Sequence, residues 1–289
     1  FVMNLEVVIS DGLTLHTGRK VTRNNTGPSL TQLFIGAEGT LGVITEVTLR
    51  VGTKPSSTET RRYALNTLDE AISVAYELER SLFPAINRVD DEPRGYDGKP
   101  MITVAFEGNS EVVNLLVSLA DGLVEAKQGV SIPEAFADPF VQERRVKTFE
   151  MSVSPKFSRL VPEEPCINIR DSGFFSALWI SLCKKFGITY EGTQFNISYP
   201  GIITYYASYP VSNPVATKSY HSMMHEFYSK IIEFGGSISA THGVGCRMRE
   251  FVSTQFDSEY LLVLDKLKES FDPNNIFNPG KLYPQIQIQ

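Results

Sequence analysis

The chain has 289 residues, of which 42% are hydrophobic, so it can bury a sizeable core in one large domain or two ordinary ones. Its formal net charge is -6 and its pI is about 5.4. This acidic balance argues against a nucleic-acid partner, which requires a basic surface for the phosphates. We therefore expect no nucleic-acid partner, and we leave a homodimer open.

The cysteines and the apolar runs indicate a cellular compartment. Cys166, Cys183 and Cys246 are odd in number and widely spaced, which disfavours a disulfide scaffold and a cysteine zinc site. The longest apolar run, 174–182, is much shorter than the roughly 20 apolar residues of a membrane span. We expect a cytoplasmic protein with no membrane span and no signal peptide, and we leave peripheral membrane attachment open.

The first residues predict a β-hairpin. Leu5–Ile9 and Thr14–Thr17 are rich in β-formers and flank Asp11-Gly12, a dipeptide typical of tight turns with positive φ. The chain begins at Phe1, without an initiator methionine, and reaches this strand almost at once. We therefore expect a truncated, split or processed protein.

A domain boundary is predicted at residues 52–57, because this proline-containing linker follows a half-buried strand over Val43–Val51. The next elements are a strand at Arg62–Leu65, a helix at Leu68–Leu82, strands at Ala85–Val89 and Ile102–Phe106, and a helix at Glu111–Ala126. This order matches a split βαβ, ferredoxin-like layer. A further helix is predicted over Val141–Met151.

The last third of the chain alternates helices with antiparallel hairpins, which predicts an α+β fold. Its elements are a short strand at Ile167–Ile169, a helix at Phe174–Phe186, strands at Gln194–Ser198 and Ile202–Tyr209, a helix at Ala216–Phe234 ended by Gly235-Gly236, a strand at Ser237–Ala240, a short helix after Gly245, and a helix at Tyr260–Phe271 capped by Asp257 or Ser258.

A cluster of glycines lies just before the Val43–Val51 strand. Gly36, Gly39 and Gly42 surround Glu38, and glycines let backbone N–H groups approach a ligand closely enough to form an anion-binding nest. A diphosphate is one such ligand. The alternative is a turn that only leads into the strand, since a glycine cluster alone is a weak motif.

Two further segments carry polar groups in turns. His242 stands at the end of a predicted strand beside two glycines, where it could reach a ligand and act as a general base, or serve only as a turn residue. Near the end of the chain, the Asn278 amide and the Lys281 ammonium could donate to a ligand. A rigid turn built by Pro279-Gly280 is the alternative for these two residues.

These segments resemble a known family. Residues 34–46 are similar to the G-S-E-G-T-L-G-V-I-T segment of the p-cresol methylhydroxylase-type FAD domain, and only Ala37 departs from the pattern. The H-G-V-G at 242–245 and the D-P-x-x-x-x-N-P-G-K at 272–281 resemble the FAD-linked oxidase C-terminal domain. The resemblance implies FAD as the cofactor, with Gly36, Glu38, Gly39, Thr40, Gly42, Val43, Ile44, Asn278 and Lys281 facing it.

The resemblance also implies a domain division and a missing element. Residues 1–54 correspond to the C-terminal part of the FAD-binding domain, and residues 55–289 to a ferredoxin-like cap domain with an antiparallel sheet. The family binds the FAD diphosphate with an earlier glycine-rich loop as well, and this loop is absent from the sequence. A separate chain carrying that loop is therefore an expected partner.

Comparison with particular members of the family narrows the site. The hydroxy-acid dehydrogenases carry a histidine pair and a glutamate that hold a metal, but residues 196–206 contain no histidine and Thr241 takes the glutamate position. His221 and His225 share a helical face, where a surface pair is the preferred interpretation over a metal site. We therefore predict no metal site.

The resemblance implies an FAD-dependent oxidoreductase that oxidises a small hydroxylated substrate, such as a 2-hydroxy acid, by hydride transfer to the flavin. His242 would be the base, and Arg145, beside Arg144, would bind an acid group unless both only form a solvated helix face. Alkyldihydroxyacetonephosphate synthase has a catalytic tyrosine at the position of Ile203, which makes Tyr205 a candidate. A non-redox, synthase-like flavoprotein and an inactive or partner-dependent fragment are the alternatives.

Overall fold

The computed structural model describes residues 1–21, 23, 26–91, 95–133 and 158–282, with the side chains of 158–162 left out. The strands are β1 (Val2–Val8), β2 (Thr14–His16), β3 (Val43–Leu49), β4 (Ser57–Ala64), β5 (Ile86–Asp90), β6 (Met101–Gly108), β7 (Val130–Ser131), β8 (Ser158–Glu163), β9 (Thr189–Asn196) and β10 (Ile203–Pro210). The α-helices are α1 (Leu30–Phe34), α2 (Leu68–Leu82), α3 (Ser110–Ala126), α4 (Ser172–Phe186), α5 (Pro214–Glu233), α6 (Val252–Gln255) and α7 (Ser258–Phe271). Short 3₁₀ helices cover Ile169–Asp171 and Arg249–Phe251.

The chain forms two compact units. The first unit combines residues Phe1–Lys54 with Thr241–Gln289, and the second is Pro55–Ala240. The predicted domains, 1–54 and 55–289, stay a prediction. Within the first unit, α7 packs against the N-terminal segment: the rings of Phe271 and Phe34 meet edge-on with centroids 5.3 Å apart, and the Phe271 carbonyl accepts a hydrogen bond from Ser10 Oγ.

The first unit contains a three-stranded antiparallel sheet in the order β2-β1-β3. The predicted hairpin is present: β1 pairs with β2, Asp11 Oδ1 accepts the N–H of Leu13 at 2.8 Å, and Gly12 has φ 85°. A small apolar core joins this sheet to α1 and contains Leu5, Val7, Phe34, Ala37 and Leu41. In the same unit, the N–H of Tyr260 donates to Asp257 Oδ1, which confirms Asp257 as the cap of α7.

The second unit contains a seven-stranded antiparallel sheet in the order β7-β4-β6-β5-β9-β10-β8. The β4-α2-β5-β6-α3-β7 segment forms the predicted ferredoxin-like layer. The order β-α-β-β-α then occurs a second time, as β8-α4-β9-β10-α5, and β5 joins the two halves by pairing with β9. The α+β fold class is therefore confirmed. The second unit also contains a topological repeat that was not predicted from the sequence.

Local signals explain where the helices of this unit begin and end. Helix α2 starts at a capping box in which Thr67 Oγ1 accepts from Glu70 N and Glu70 Oε2 accepts from Thr67 N. Helix α5 begins at Pro214 after the Asn213 cap, and Gly235, with φ 77°, follows its last turn.

Two predicted strands are wrong. In place of the predicted strands Ile167–Ile169 and Ser237–Ala240 there are only isolated bridges, from the preceding Cys166 to Ile202 and to Ser237. The side chain of Asn168 accepts the N–H of Arg170 and turns the chain into a 3₁₀ helix, which ends the extended stretch after one bridge. The helix predicted over Val141–Met151 lies outside the described residues.

Candidate functional site

The Gly36–Thr40 loop presents unpaired backbone donors. Gly36, Glu38 and Gly39 have φ values of 81°, 49° and 72°, so this stretch turns through left-handed conformations. Among the described residues, no acceptor lies within hydrogen-bonding distance of the N–H groups of these three residues. Apart from its two chain neighbours, no atom of the described residues lies within 4 Å of the place where a Cβ on Gly36 would stand. The loop therefore has the form of an anion-binding nest that is open on the side of Gly36.

The far end of the same loop is held by packing. Thr40 is buried, and its hydroxyl donates to the carbonyl of Ala37 at 2.7 Å. A Cβ on Gly42 would stand 2.8 Å from a methyl of Val7, so Gly42 allows the loop to lie against β1. Thr40 and Gly42 thus stabilise the conformation of the loop, and their contact with the cofactor stays a prediction.

Exposed apolar groups flank the nest. At the start of β3, Val43 and Ile44 are 51% and 44% exposed, which leaves their side chains available to a ligand. An apolar cavity of about 490 Å³ borders Gly36 within the first unit. Its lining includes Leu41, Val244, Phe256, Tyr260 and Leu264. A ligand with an anionic part and an apolar part therefore finds both kinds of surface around this loop.

The His242–Gly245 turn lies at the side chain of Glu38. The carboxylate accepts the N–H of Val244 at 2.7 Å through Oε1 and the N–H of Gly245 at 2.9 Å through Oε2. His242 is exposed, has φ 61°, and directly precedes these amides. The structure thus brings the predicted base and the predicted nest together through one carboxylate.

The C-terminal turn is organised by a buried ion pair. Lys268 Nζ donates to Asp272 Oδ2 at 2.5 Å, to the carbonyl of Phe277 at 2.8 Å and to the carbonyl of Thr40 at 2.7 Å. Burial raises the pKa of the Asp272 carboxyl, but the bonds from Lys268 and from the N–H groups of Phe277 and Ile276 outweigh it, so the pKa is lowered overall. The carboxylate therefore stays ionised at neutral pH.

Asn278 and Lys281 extend this turn towards Glu38. Asn278 Nδ2 donates to the carbonyl of Glu38 at 2.7 Å, so this amide already has a protein acceptor. Lys281 Nζ lies 3.8 Å from Glu38 Oε2, and its side chain is 32% exposed. Lys281 consequently keeps donors available for an acidic ligand, whereas Asn278 acts on the loop.

Two predicted catalytic residues are not among the contacts described above. Arg145, like Arg144, lies outside the described residues. Tyr205 belongs to the second unit, where it is 0% exposed and packs against Trp179 and Phe227 at centroid distances of 5.4 and 5.1 Å. Burial raises its pKa far above the ordinary value, since ionisation would leave a charge in an apolar core. Both catalytic roles stay predictions.

Lys268 was not identified from the sequence, although it contacts two of the three motifs. A lysine four residues before an aspartate on a helix is a common surface pair, so the spacing alone carries little information. The one signal available in the sequence is the helix end at Asp272-Pro273, which places Lys268 in the last turn of the helix, next to the loop that follows.

Within the described part of the chain, no group of three or more His, Cys, Asp or Glu side chains is arranged to hold a metal ion. No helix within the described ranges is both long enough and apolar enough to cross a bilayer. The predicted lack of a metal site stays a prediction.

Residues 78–282, more than two thirds of the chain, match the family described as FAD linked oxidases, C-terminal domain. Over 98% of its length the chain is 26% identical to glycolate oxidase subunit GlcD of Bacillus subtilis, covering 63% of that protein. Over 99% it is 24% identical to a D-lactate dehydrogenase of Archaeoglobus fulgidus, covering 65%. It is also 28% identical over 98% of its length to a mitochondrial D-2-hydroxyglutarate dehydrogenase of Danio rerio, covering 56%. The chain therefore spans less than two thirds of these relatives.

Solved structures show the same fold. A p-cresol methylhydroxylase with substrate bound superposes with a TM-score of 0.72 at 16% identity, over 97% of this chain and 64% of that one. An alkyldihydroxyacetonephosphate synthase superposes with a TM-score of 0.67 at 19% identity, over 96% and 54%. The family match over residues 78–282 confirms the predicted resemblance, and these structures confirm the fold.

Proposed function

Because the chain belongs to the FAD linked oxidases, C-terminal domain, family, we propose that it is part of an FAD-dependent oxidoreductase acting on a small 2-hydroxy acid such as D-lactate or glycolate. The names of the curated relatives support this substrate class. The observation that carries the proposal is the convergence in one unit of an open backbone nest, the His242 turn and Lys281. Each of the three supplies a group that such a reaction requires.

The described residues fit a flavin dinucleotide. The N–H groups of Gly36, Glu38 and Gly39 suit a diphosphate, which prefers several converging backbone donors. Val43 and Ile44 offer exposed apolar surface for an aromatic ring. Because the side chains of Glu38, Thr40 and Asn278 already bind protein groups, these positions would contact FAD through their backbone.

In the proposed oxidation, each residue would have a separate role beside the flavin. Bound FAD would supply the hydride acceptor at its N5 atom. His242 would take the hydroxyl proton of the substrate on an imidazole nitrogen, because a base near neutral pH is needed when hydride leaves the same carbon. Lys281 or Arg145 would hold the substrate carboxylate through a charged donor. Tyr205 is left out of this scheme because no solvent reaches it.

The proposal includes a further source of phosphate contacts, since the nest offers only a few donors. We propose that a separate chain with a glycine-rich loop supplies these phosphate contacts. We also propose that the protein forms a homodimer and that it is cytoplasmic. The similarity to alkyldihydroxyacetonephosphate synthase concerns the fold alone, so a non-redox reaction is the weaker candidate. An inactive fragment is the remaining alternative.

The test is flavin binding and reduction by the chain expressed within its complete coding sequence, together with a separate chain that carries the glycine-rich loop where that coding sequence lacks one. We expect a yellow protein whose flavin absorbance is bleached anaerobically by D-lactate or glycolate, and a colourless protein would refute the proposal. Product formation without such bleaching would favour the non-redox candidate.

A matched pair of variants locates the cofactor. Gly36→Ala adds a methyl group at the open nest, whereas Gly12→Ala adds one at a hairpin with a similar φ of 85° and equally open space. Both variants carry the same backbone strain, so only Gly36→Ala should weaken flavin binding. Equal flavin affinities would mean that Gly36 does not face the cofactor.

A further inference from the structure

We propose that Glu38 is a positioning residue, whose carboxylate holds the His242–Gly245 turn in the conformation that presents His242. The effect on turnover rests on the proposed function, but the two hydrogen bonds that Glu38 accepts from the turn are a property of this chain. The family resemblance implies only that position 38 faces the cofactor. The structure instead directs the side chain of Glu38 into the protein.

The geometry of the carboxylate carries this inference. Its two oxygens each accept one backbone N–H, from Val244 at 2.7 Å and from Gly245 at 2.9 Å, across more than 200 residues of sequence. Bonds to an ionised acceptor are stronger than bonds between neutral groups, and two of them fix both the place and the tilt of a turn. Because His242 is two residues before Val244, its backbone is held by the same pair of bonds.

Glycine at position 243 is matched to this arrangement. A Cβ on Gly243 would stand closer to Glu38 Oε1 than any real Cβ contact allows, so the carboxylate can reach the turn only over a glycine. Gly245 also has a positive φ, of 57°, but a Cβ there would lie 3.9 Å from Glu38 Oε2, in ordinary contact. The close approach is therefore specific to Gly243.

The main chain of Glu38 is held as well. Glu38 has φ 49°, a left-handed conformation that a residue with a side chain adopts only at a cost. The carbonyl of Glu38 accepts from Asn278 Nδ2, and Lys281 Nζ lies 3.8 Å from its carboxylate. These contacts keep the side chain directed at the turn. They also place the charge of the carboxylate close to Lys281, the cation that would bind the substrate in the proposed function.

Amide exchange measured by NMR tests the hold directly. Glu38→Gln preserves the size of the side chain but replaces one acceptor oxygen by an NH₂ group, which cannot accept the second N–H. We expect the exchange of the Val244 and Gly245 amides to accelerate about tenfold or more, the effect of losing one charge-assisted bond. The control is Glu46→Gln, which removes an exposed carboxylate of β3 that is paired with Lys20. Unchanged exchange in Glu38→Gln would overturn the proposal.

A second pair of variants guards against a folding defect. Gly243→Ala leaves Glu38 in place but forces the carboxylate away, whereas Gly245→Ala carries a similar left-handed strain without the collision. The Val244 amide should lose protection only in Gly243→Ala. Equal protection in both variants would contradict the proposed hold.

Kinetics then separate positioning from mere stability. In the flavin-loaded enzyme we expect Glu38→Gln to lower kcat about tenfold while KM changes little, because the base is displaced but the substrate anchor remains. Faster amide exchange with an unchanged kcat would overturn the positioning role. If the wild-type enzyme fails to reduce flavin at all, the proposed function fails, while the exchange data still decide whether Glu38 holds the turn.

Discussion

The two units of the chain are organised by different interactions. In Pro55–Ala240, large side chains fill the space between the sheet and its helices, and Trp179, Tyr205 and Phe227 form a mutually contacting aromatic group. In the other unit the apolar core is small, and three distant segments are joined by side chains that bind backbone groups. Burial therefore dominates one unit, and directional polar bonds dominate the other.

This difference suits the places where function is proposed. Apolar packing tolerates some rearrangement as long as volume is preserved, whereas a hydrogen bond to a backbone amide specifies one conformation. Glu38, Asn278 and Lys268 each contact a backbone atom of a remote loop at 2.9 Å or less. The unit with the smaller core thus obtains a defined site from a few polar groups.

The largest expected effect belongs to the aromatic core. Phe227→Ala should lower the free energy of unfolding of the second unit by about 3–5 kcal/mol, because a ring in contact with Trp179 and Tyr205 is replaced by a cavity. The measurement is urea unfolding followed by Trp179, the single tryptophan of the chain, whose fluorescence reports on this unit alone. The control is Phe174→Ala, since Phe174 is 48% exposed. Similar losses in the two variants would mean that the core is not packed as described.

The corresponding change in the first unit removes a charge. Asp272→Ala leaves Lys268 without its carboxylate and leaves the N–H groups of Ile276 and Phe277 without an acceptor. Breaking such a buried pair costs about 3 kcal/mol or more. Hydrogen exchange in 265–282 should accelerate accordingly, and Glu269→Ala, an exposed carboxylate on the same helix, should leave it unchanged. Equal hydrogen exchange in the two variants would mean that the Lys268–Asp272 pair does not stabilise the first unit.

The sequence predicts elements well where the signal is local. The helix over 68–82 and the Asp257 cap are predicted from neighbouring residues alone, and the structure confirms both. The strand Ser158–Glu163 was missed, because its partner β10 lies more than 40 residues further along the chain. Such pairing depends on the sheet as a whole, as does the repeat of β-α-β-β-α.

The site shows the same limit. The motifs at 36–42, 242–245 and 272–281 were identified individually, and the resemblance supplied their meaning. Their mutual contacts could not be derived, because the bond between Glu38 and Val244 joins residues 206 apart. A single sequence contains no signal for that pair, and spacing cannot show whether a carboxylate faces a ligand or a backbone amide.

Acid provides a finer test of the polar unit. The pKa of Asp272 is lowered on folding, so its contribution to stability is complete above the unfolded value of about 3.9 and is lost as pH falls through the folded value. The stability difference between the wild type and Asp272→Asn should therefore be largest near neutral pH and shrink below about pH 4. Urea unfolding of both proteins across this range measures it. A difference that does not vary with pH would show that the charge of Asp272 is not what stabilises the turn.

The smallest effect is a difference in reactivity, with no change in stability. Cys183 lies in the second unit, where burial raises the pKa of its thiol to about 12, whereas Cys246 of the first unit is exposed. Only the thiolate attacks disulfide reagents, so Cys246 should react quickly with Ellman's reagent in the folded protein and Cys183 only after unfolding. Cys246→Ser should remove the fast phase, and Cys183→Ser should preserve it. Rapid modification of Cys183 in the native protein would reveal local opening of the aromatic core, and the contrast between a closed apolar unit and an accessible polar one would no longer hold.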